Sequence, residues 1–227
     1  MTDSAPMAHA ANDRQLQIWD WPVRLFHWLI VILIAVSWYT GEEGMMDIHQ
    51  WSGLAVLALT LTRVIWGFVG SSTARFSSFV RGPRAVWGYV SNIMRREPAH
   101  VAGHTPTGAW MILAFYLLLI AMPVLGLFAN DDIFFRGPLA YRVEKEVSYS
   151  LTVLHKQLFD LLLIFVILHV AAVLIYRFVL KEDLVTPLIT GRRSWPGPDY
   201  PQLRMTSGIW AVAIFAVVSA VIYLVIL

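Results

Sequence analysis

The chain of 227 residues contains no cysteine. That absence removes disulfides, thiolate metal sites, cysteine-held iron–sulfur clusters and covalent cofactor attachment through a C-x-x-C-H motif. Charge is scarce as well. Only 14% of residues are charged and 58% are hydrophobic, where a soluble globule has roughly 25% charged and about half apolar. Mean hydropathy is +0.63. The first eighteen residues lack the compact basic-then-apolar design of a cleaved signal peptide. They read as a mobile tail, which makes the first apolar stretch a retained helix. The formal net charge of +2 says little by itself. No nucleic-acid partner is expected.

What is present is five apolar stretches, 22–39, 48–69, 107–128, 151–180 and 209–227. Each is near the ~20 residues that cross a bilayer as a helix. Backbone in lipid must bond within its own segment, so all five are expected as helices and no strand is needed. Asp20 suits an N-cap, Pro22 a first turn, and Pro123 is expected to bend the third span. The expected fold class is all-α, an integral membrane four-helix bundle with a fifth, C-terminal span. Its parts are a flexible tail (1–18), the core (19–193), a linker (194–208) and the extra helix (209–227).

The loops orient the bundle. Arg75, Arg81, Arg84, Arg95 and Arg96 lie between the second and third spans, against one acid, Glu97. Arg177, Lys181, Arg192, Arg193 and Arg204 follow the fourth. The first loop has Glu42, Glu43 and Asp47 and no base, and the 129–150 loop is mixed and slightly acidic. Basic loops therefore share one side, which the positive-inside rule makes cytoplasmic. The N-terminus is expected in the cytoplasm and the C-terminus in the periplasm, across a bacterial inner membrane. Trp19, Trp21, Trp38, Trp51, Trp110, Trp195 and Trp210 fall near span boundaries, as interfacial belts do. From Pro83, apolar Val86, Val90, Ile93 and Met94 recur at helical spacing. This segment reads either as a short helix on the membrane face or as a loop packed on the bundle ends.

The chemistry sits in the histidines. Four of seven, His27, His49, His155 and His169, fall within or at the ends of the spans. A lone intramembrane histidine usually bonds another helix; four at matched depths imply a site. His169 follows His155 by fourteen residues, about 3.9 turns and ~21 Å, so both rings leave nearly one face. His155 shares a level with His49 near one membrane face, and His169 shares one with His27 near the other. Two facing imidazoles at each of two depths make a layout for two stacked haems. No thiolate or carboxylate lies beside them to complete a zinc or di-iron site; the nearest acid is Asp160. Two axial imidazoles fill both free positions of haem iron, which favours electron transfer over oxygen chemistry.

WDWPVRLFHW at 19–28, IHQWSG at 48–53, RVIWGFVG at 63–70, GHTPTGAW at 103–110, the His155/His169 pair and KEDLVTPLITGRR at 181–193 together carry a resemblance. The chain resembles the bacterial dihaem b-type cytochromes, which include the cytochrome b subunit of nickel–iron hydrogenases and prokaryotic cytochrome b-561. The likeness covers about residues 19 to 193. It implies a four-helix core, two haem b groups held by His27 with His169 and by His49 with His155, and electron exchange with quinone. It implies that His27 and His169 hold the cytoplasmic haem. The fifth span lies outside it.

Other polar candidates are weaker. Arg24, one turn before His27, is read as meeting a haem propionate or merely flanking the membrane. Arg63 follows His49 by fourteen residues, as His169 follows His155. It serves the inner haem or quinone, or it snorkels to the headgroups. Lys156 is read as loop-facing in preference to meeting a propionate at the other haem, and His104 as a cap, a quinone-side residue or a surface histidine. His9 and His100 carry no role. The expected function is electron transfer between membrane quinone and a periplasmic redox protein such as a hydrogenase, another dehydrogenase or a c-type cytochrome. The alternative is a stand-alone enzyme coupling a small periplasmic substrate such as superoxide to quinone. A transporter would need internal repeats and broken helices, which are lacking.

Overall fold

The computed structural model describes residues 14–95, 101–133, 135–195 and 201–226. In chain order the elements are β1 (Arg14–Gln17), α1 (Trp21–Glu42), α2 (Met46–Val69), α3 (Phe76–Phe79), α4 (Pro83–Met94), α5 (Pro106–Gly126), α6 (Lys145–Phe178), α7 (Val185–Thr190), β2 (Arg192–Trp195) and α8 (Ile209–Ile226). Among the described residues α1, α2, α5, α6 and α8 are long and apolar enough to cross a membrane. His9 and His100 lie outside the described residues.

The spans begin where the sequence provides caps. The Asp20 carboxylate accepts from the Val23 amide at 2.8 Å, with Pro22 in the first turn of α1. Thr105 accepts from the Gly108 amide at 3.1 Å ahead of Pro106. Each such cap contributes about 1 kcal/mol. Pro123 sits in the last turn of α5, which ends at Gly126.

α1 packs along α2, α2 on α5, and α5 on α6, while α8 lies against α2. The central helix α2 is therefore the most buried span, and α6 and α8 are the most open. The fifth helix packs one side on the bundle. Ala211, Ile214, Val218 and Ile222 point inward at helical spacing, while Val212, Val217, Val221 and Leu224 face outward. Its start is tied down, because any side chain at Gly208 would collide with the Trp21 indole.

Two expectations are corrected. The chain does contain strands: β1 pairs antiparallel with β2, outside the spans. The tail is not free through residue 18 either, since Leu16 and Ile18 are only 4% and 2% exposed. The amides of Ile18 and Trp19 both donate to the Gly191 carbonyl, at 2.9 and 3.1 Å. Gly191 adopts φ 82°, the left-handed position that closes α7, and a Cβ there would lie 2.9 Å from the Trp19 carbonyl oxygen. The partner strand is remote in sequence, so no local pattern announced it. The linker is fastened too. The Ser72 amide donates to the Arg204 carbonyl at 2.9 Å, and the Thr206 amide to the Ser71 hydroxyl at 3.0 Å.

At this arginine-rich end several arginines serve carbonyls at or just beyond helix ends, which lack intrahelical partners. Arg75 donates to Gly70 at 2.8 Å, Arg81 to Ser78 at 3.0 Å, and Arg24 to Ile189 at 2.5 Å. The opposite end, where α1 turns into α2, is called the hairpin end below.

Candidate functional site

His27 stands on α1, His49 on α2, and both His155 and His169 on α6. All four are half-buried. The His27 and His169 ring centres are 6.4 Å apart. Those of His49 and His155 are 6.0 Å apart and nearly perpendicular. The structure thus brings the four residues together in the two pairs, one at each end of the bundle.

At the hairpin end each ring is held by backbone. The Nδ1–H of His49 donates to the Ser37 carbonyl at 2.7 Å, and that of His155 to the Met122 carbonyl at 2.8 Å. A carbonyl only accepts, so Nδ1 must carry the proton and Nε2 keeps its lone pair. Metal-binding histidines are oriented in this way. Glycines make room behind them. A Cβ on Gly41 would lie 3.0 Å from His49 Nδ1, and one on Gly126 would lie 3.3 Å from His155 Cε1. Beside the pair lies a cavity of about 630 Å³, with apolar walls that include Leu119, Met122, Phe159 and Leu162. That is within the usual range of ligand sites, about 300–1,000 Å³. Gly53, one turn from His49, borders it, and a Cβ there would meet nothing within 4 Å. The rim carries Glu42, Asp131 and Asp160 with one base, Lys156.

At the arginine-rich end aromatic rings do the holding. Trp28 meets His27 edge-on at 5.1 Å, and Phe115 meets His169 at 5.8 Å. His27 Nδ1 is shielded and, among the described residues, without a partner.

The residues present fit a bis-imidazole metal group. Two metal–nitrogen bonds of about 2 Å and two ring half-widths of about 1 Å place ring centres about 6 Å apart, close to what is observed. Among the described residues no cluster of three or more His, Asp or Glu side chains gathers, so neither pair extends into a bare-metal ligand set.

Arg63 is 3% exposed, so it does not snorkel. It donates twice to the Ala74 carbonyl, both at 3.3 Å, and sits 5.8 Å from the centre of the Tyr116 ring. Tyr116 packs on Phe26, and its neighbour Phe115 meets His169, so Arg63 lies at the depth of the His27/His169 pair. One Arg24 terminal nitrogen donates to the α7 carbonyl, and its Nε is buried and, among the described residues, unpartnered. His104 is wedged between Trp19 and Phe79, with ring centres at 4.5 and 4.4 Å. Burial, then the Arg63 charge, pushes its pKa down to about 3. Gly41, Gly126 and Tyr116 escaped sequence reasoning. A small residue within an apolar span carries no signal of what faces it.

Helices that cross a membrane, with imidazoles paired between them at two depths, define a membrane electron-transfer protein of the cytochrome b class. Residues 18–191 match the family described as prokaryotic cytochrome b561, and the chain belongs to that family. Members of the family bind haem b. One relative, the probable superoxide oxidase CybB of Yersinia pestis, is 24% identical over 187 residues, covering 74% of this chain and 93% of its own length. α8 lies beyond the family match.

Proposed function

We propose that this chain is a dihaem b cytochrome that passes electrons between the membrane quinone pool and a periplasmic redox partner. The observation that carries the reading is the single helix α6, whose two imidazoles each meet a ring from another helix about 6 Å away. His27 with His169, and His49 with His155, are the axial ligands. When bound, a haem with both axial positions filled supplies one-electron chemistry. The Ser37 and Met122 carbonyls fix the tautomer of His49 and His155. Arg63 lends positive charge at the His27/His169 level, and the Nε of Arg24, the part of that side chain not used on α7, donates to a propionate or quinone oxygen there. The arginine-rich end faces the cytoplasm by the positive-inside rule, so both the N-terminus and the quinone-reactive pair lie on that side. The hairpin end, with the 131–150 loop, faces the periplasm and receives the partner, a hydrogenase, another dehydrogenase or a c-type cytochrome.

The second reading, a stand-alone superoxide:quinone oxidoreductase, is supported by the name of the Yersinia relative. The cavity rim opposes it, because Glu42, Asp131 and Asp160 outnumber Lys156 and disfavour a small anion.

The test is purification followed by haem counting and redox titration. The expectation is two haems per chain, both extracted by acid–acetone. His27→Ala and His169→Ala should remove one spectral component, and His49→Ala and His155→Ala the other. A quinone analogue should shift the component lost in His169→Ala. One haem per chain, or loss of the same component in His27→Ala and His49→Ala, would overturn the pairing.

A further inference from the structure

The helix α4 (Pro83–Met94) carries none of the four paired histidines, yet it is built with three distinct faces. At about 100° per residue, Tyr89 with Val86 and Ile93 turns toward the bundle. Tyr89 is buried, and its hydroxyl shares a 2.9 Å hydrogen bond with that of Tyr176, two residues before the end of α6. The Trp110 indole, in the second turn of α5, donates to the Arg81 carbonyl at 3.0 Å. The helix is thereby pinned beside the first turns of α5 and the last turn of α6, at the depth where the spans leave the membrane.

Among the described residues the other two faces are unpartnered, and they differ in kind. Pro83, Trp87 and Met94 share one flank, and Trp87 and Met94 are 77% and 80% exposed. Arg84, Gly88, Ser91 and Arg95 share the neighbouring face, about 90° round the helix. Among the described residues the Arg84 and Arg95 side chains make no ion pair or hydrogen bond. No acid occurs anywhere in residues 75–95. A helix with a tryptophan on an apolar flank and unpaired arginines beside it is suited to lie in a bilayer interface, its rings in the acyl boundary and its charges among headgroups.

We propose that α4 is a binding site for anionic phospholipid headgroups, with Trp87 and Met94 seated in the acyl boundary and Arg84 and Arg95 each on its own phosphate. The two arginines are eleven residues apart, ~16 Å along the helix, so one simple headgroup does not bridge them. The charge complementarity is one-sided: the flank offers donors only, so it selects phosphate-rich anionic lipid over a zwitterionic headgroup, whose own cation it repels.

The experiment uses the full chain reconstituted in phosphatidylcholine vesicles. They contain a minor fraction of either brominated phosphatidylglycerol or brominated phosphatidylcholine. Ten tryptophans emit, so the Trp87 share is taken as the difference between wild type and Trp87→Phe. That share should be quenched by the brominated phosphatidylglycerol well beyond random mixing. Arg84→Gln and Arg95→Gln should each weaken the preference by about fivefold. Their helical circular dichroism should stay at the wild-type value, since both residues are exposed and unpaired. Equal quenching by both lipids would leave only apolar packing and overturn the proposal. Quenching by aqueous iodide but by neither lipid would also overturn it, by showing that α4 faces water or a soluble protein.

Discussion

At the hairpin end, His49 and His155 each give their Nδ1 proton to a backbone carbonyl and rest against a glycine. At the arginine-rich end, His27 leaves its Nδ1 shielded and unpaired among the described residues, and the rings lean on Trp28 and Phe115. Both pairs bring rings to nearly one separation by different means. A directional hydrogen bond fixes tautomer and ring rotation, and contributes about 1 kcal/mol. Aromatic walls fix position but leave rotation softer. The hairpin pair is therefore preorganised by hydrogen bonds. The other pair is preorganised by shape and sits near buried positive charge, since Arg63 shares its depth. The first pair should be sensitive to volume behind its rings, the second to charge beside them.

The largest expected effect follows from the glycines. Gly41→Val or Gly126→Val inserts atoms where even a Cβ comes within 3.0 or 3.3 Å of an imidazole. Such overpacking costs about 1–3 kcal/mol and displaces the ring, and loss of ligand support lowers metal affinity roughly 10–100-fold. Haem content should fall toward one per chain, with the His27/His169 component intact. Equal loss of both components in Gly41→Val would mean that the two pairs are not independent.

The spans were legible in the sequence because twenty apolar residues in lipid admit few alternatives to a helix. The four histidines were legible because α6 carries two of them at a whole number of turns. The clasp at the arginine-rich end was not. β1 pairs with a strand near the other end of the family region, and Asp20, read only as a cap, also accepts the Trp66 indole at 3.0 Å. The acceptor of Arg63, the Ala74 carbonyl, belongs to a short turn that no periodicity marks. Side-chain chemistry repeats along a helix and can be counted; backbone acceptors contributed by turns cannot.

A second expectation asks whether acid attacks one end first. His104, packed between Trp19 and Phe79, has a folded pKa of about 3. In the unfolded chain a histidine titrates near 6.5. Between those values the unfolded state binds the extra proton, so stability falls as pH drops below about 6.5. The slope from this one group is at most ~1.4 kcal/mol per pH unit. His104→Phe removes the group, so melting at pH 5 and pH 7 should differ less in the variant than in wild type. Unchanged pH dependence would move the acid-sensitive element elsewhere.

The smallest effect tests charge beside the rings. A buried guanidinium needs compensation, and Arg63 finds only one carbonyl and the Tyr116 ring among the described residues. Tyr116 and Phe115 are successive residues of α5, one against Arg63 and the other against His169. Arg63 lies fourteen residues past His49 on α2, so the positive charge is nearer in depth to the His27/His169 pair than to His49/His155. A nearby cation opposes the oxidised, more positive haem and so raises its midpoint potential. Arg63→Gln should lower the midpoint of the component lost in His169→Ala and leave the other in place. The shift should be on the order of 1 kcal/mol, a few tens of millivolts for one electron. Arg63→Lys keeps the charge while losing the two-pronged contact with Ala74, so it should restore most of the potential. If Lys and Gln lower the potential alike, the guanidinium geometry matters and its charge does not. If neither variant moves either potential, Arg63 serves only to anchor the Ser72–Ala74 turn to α2.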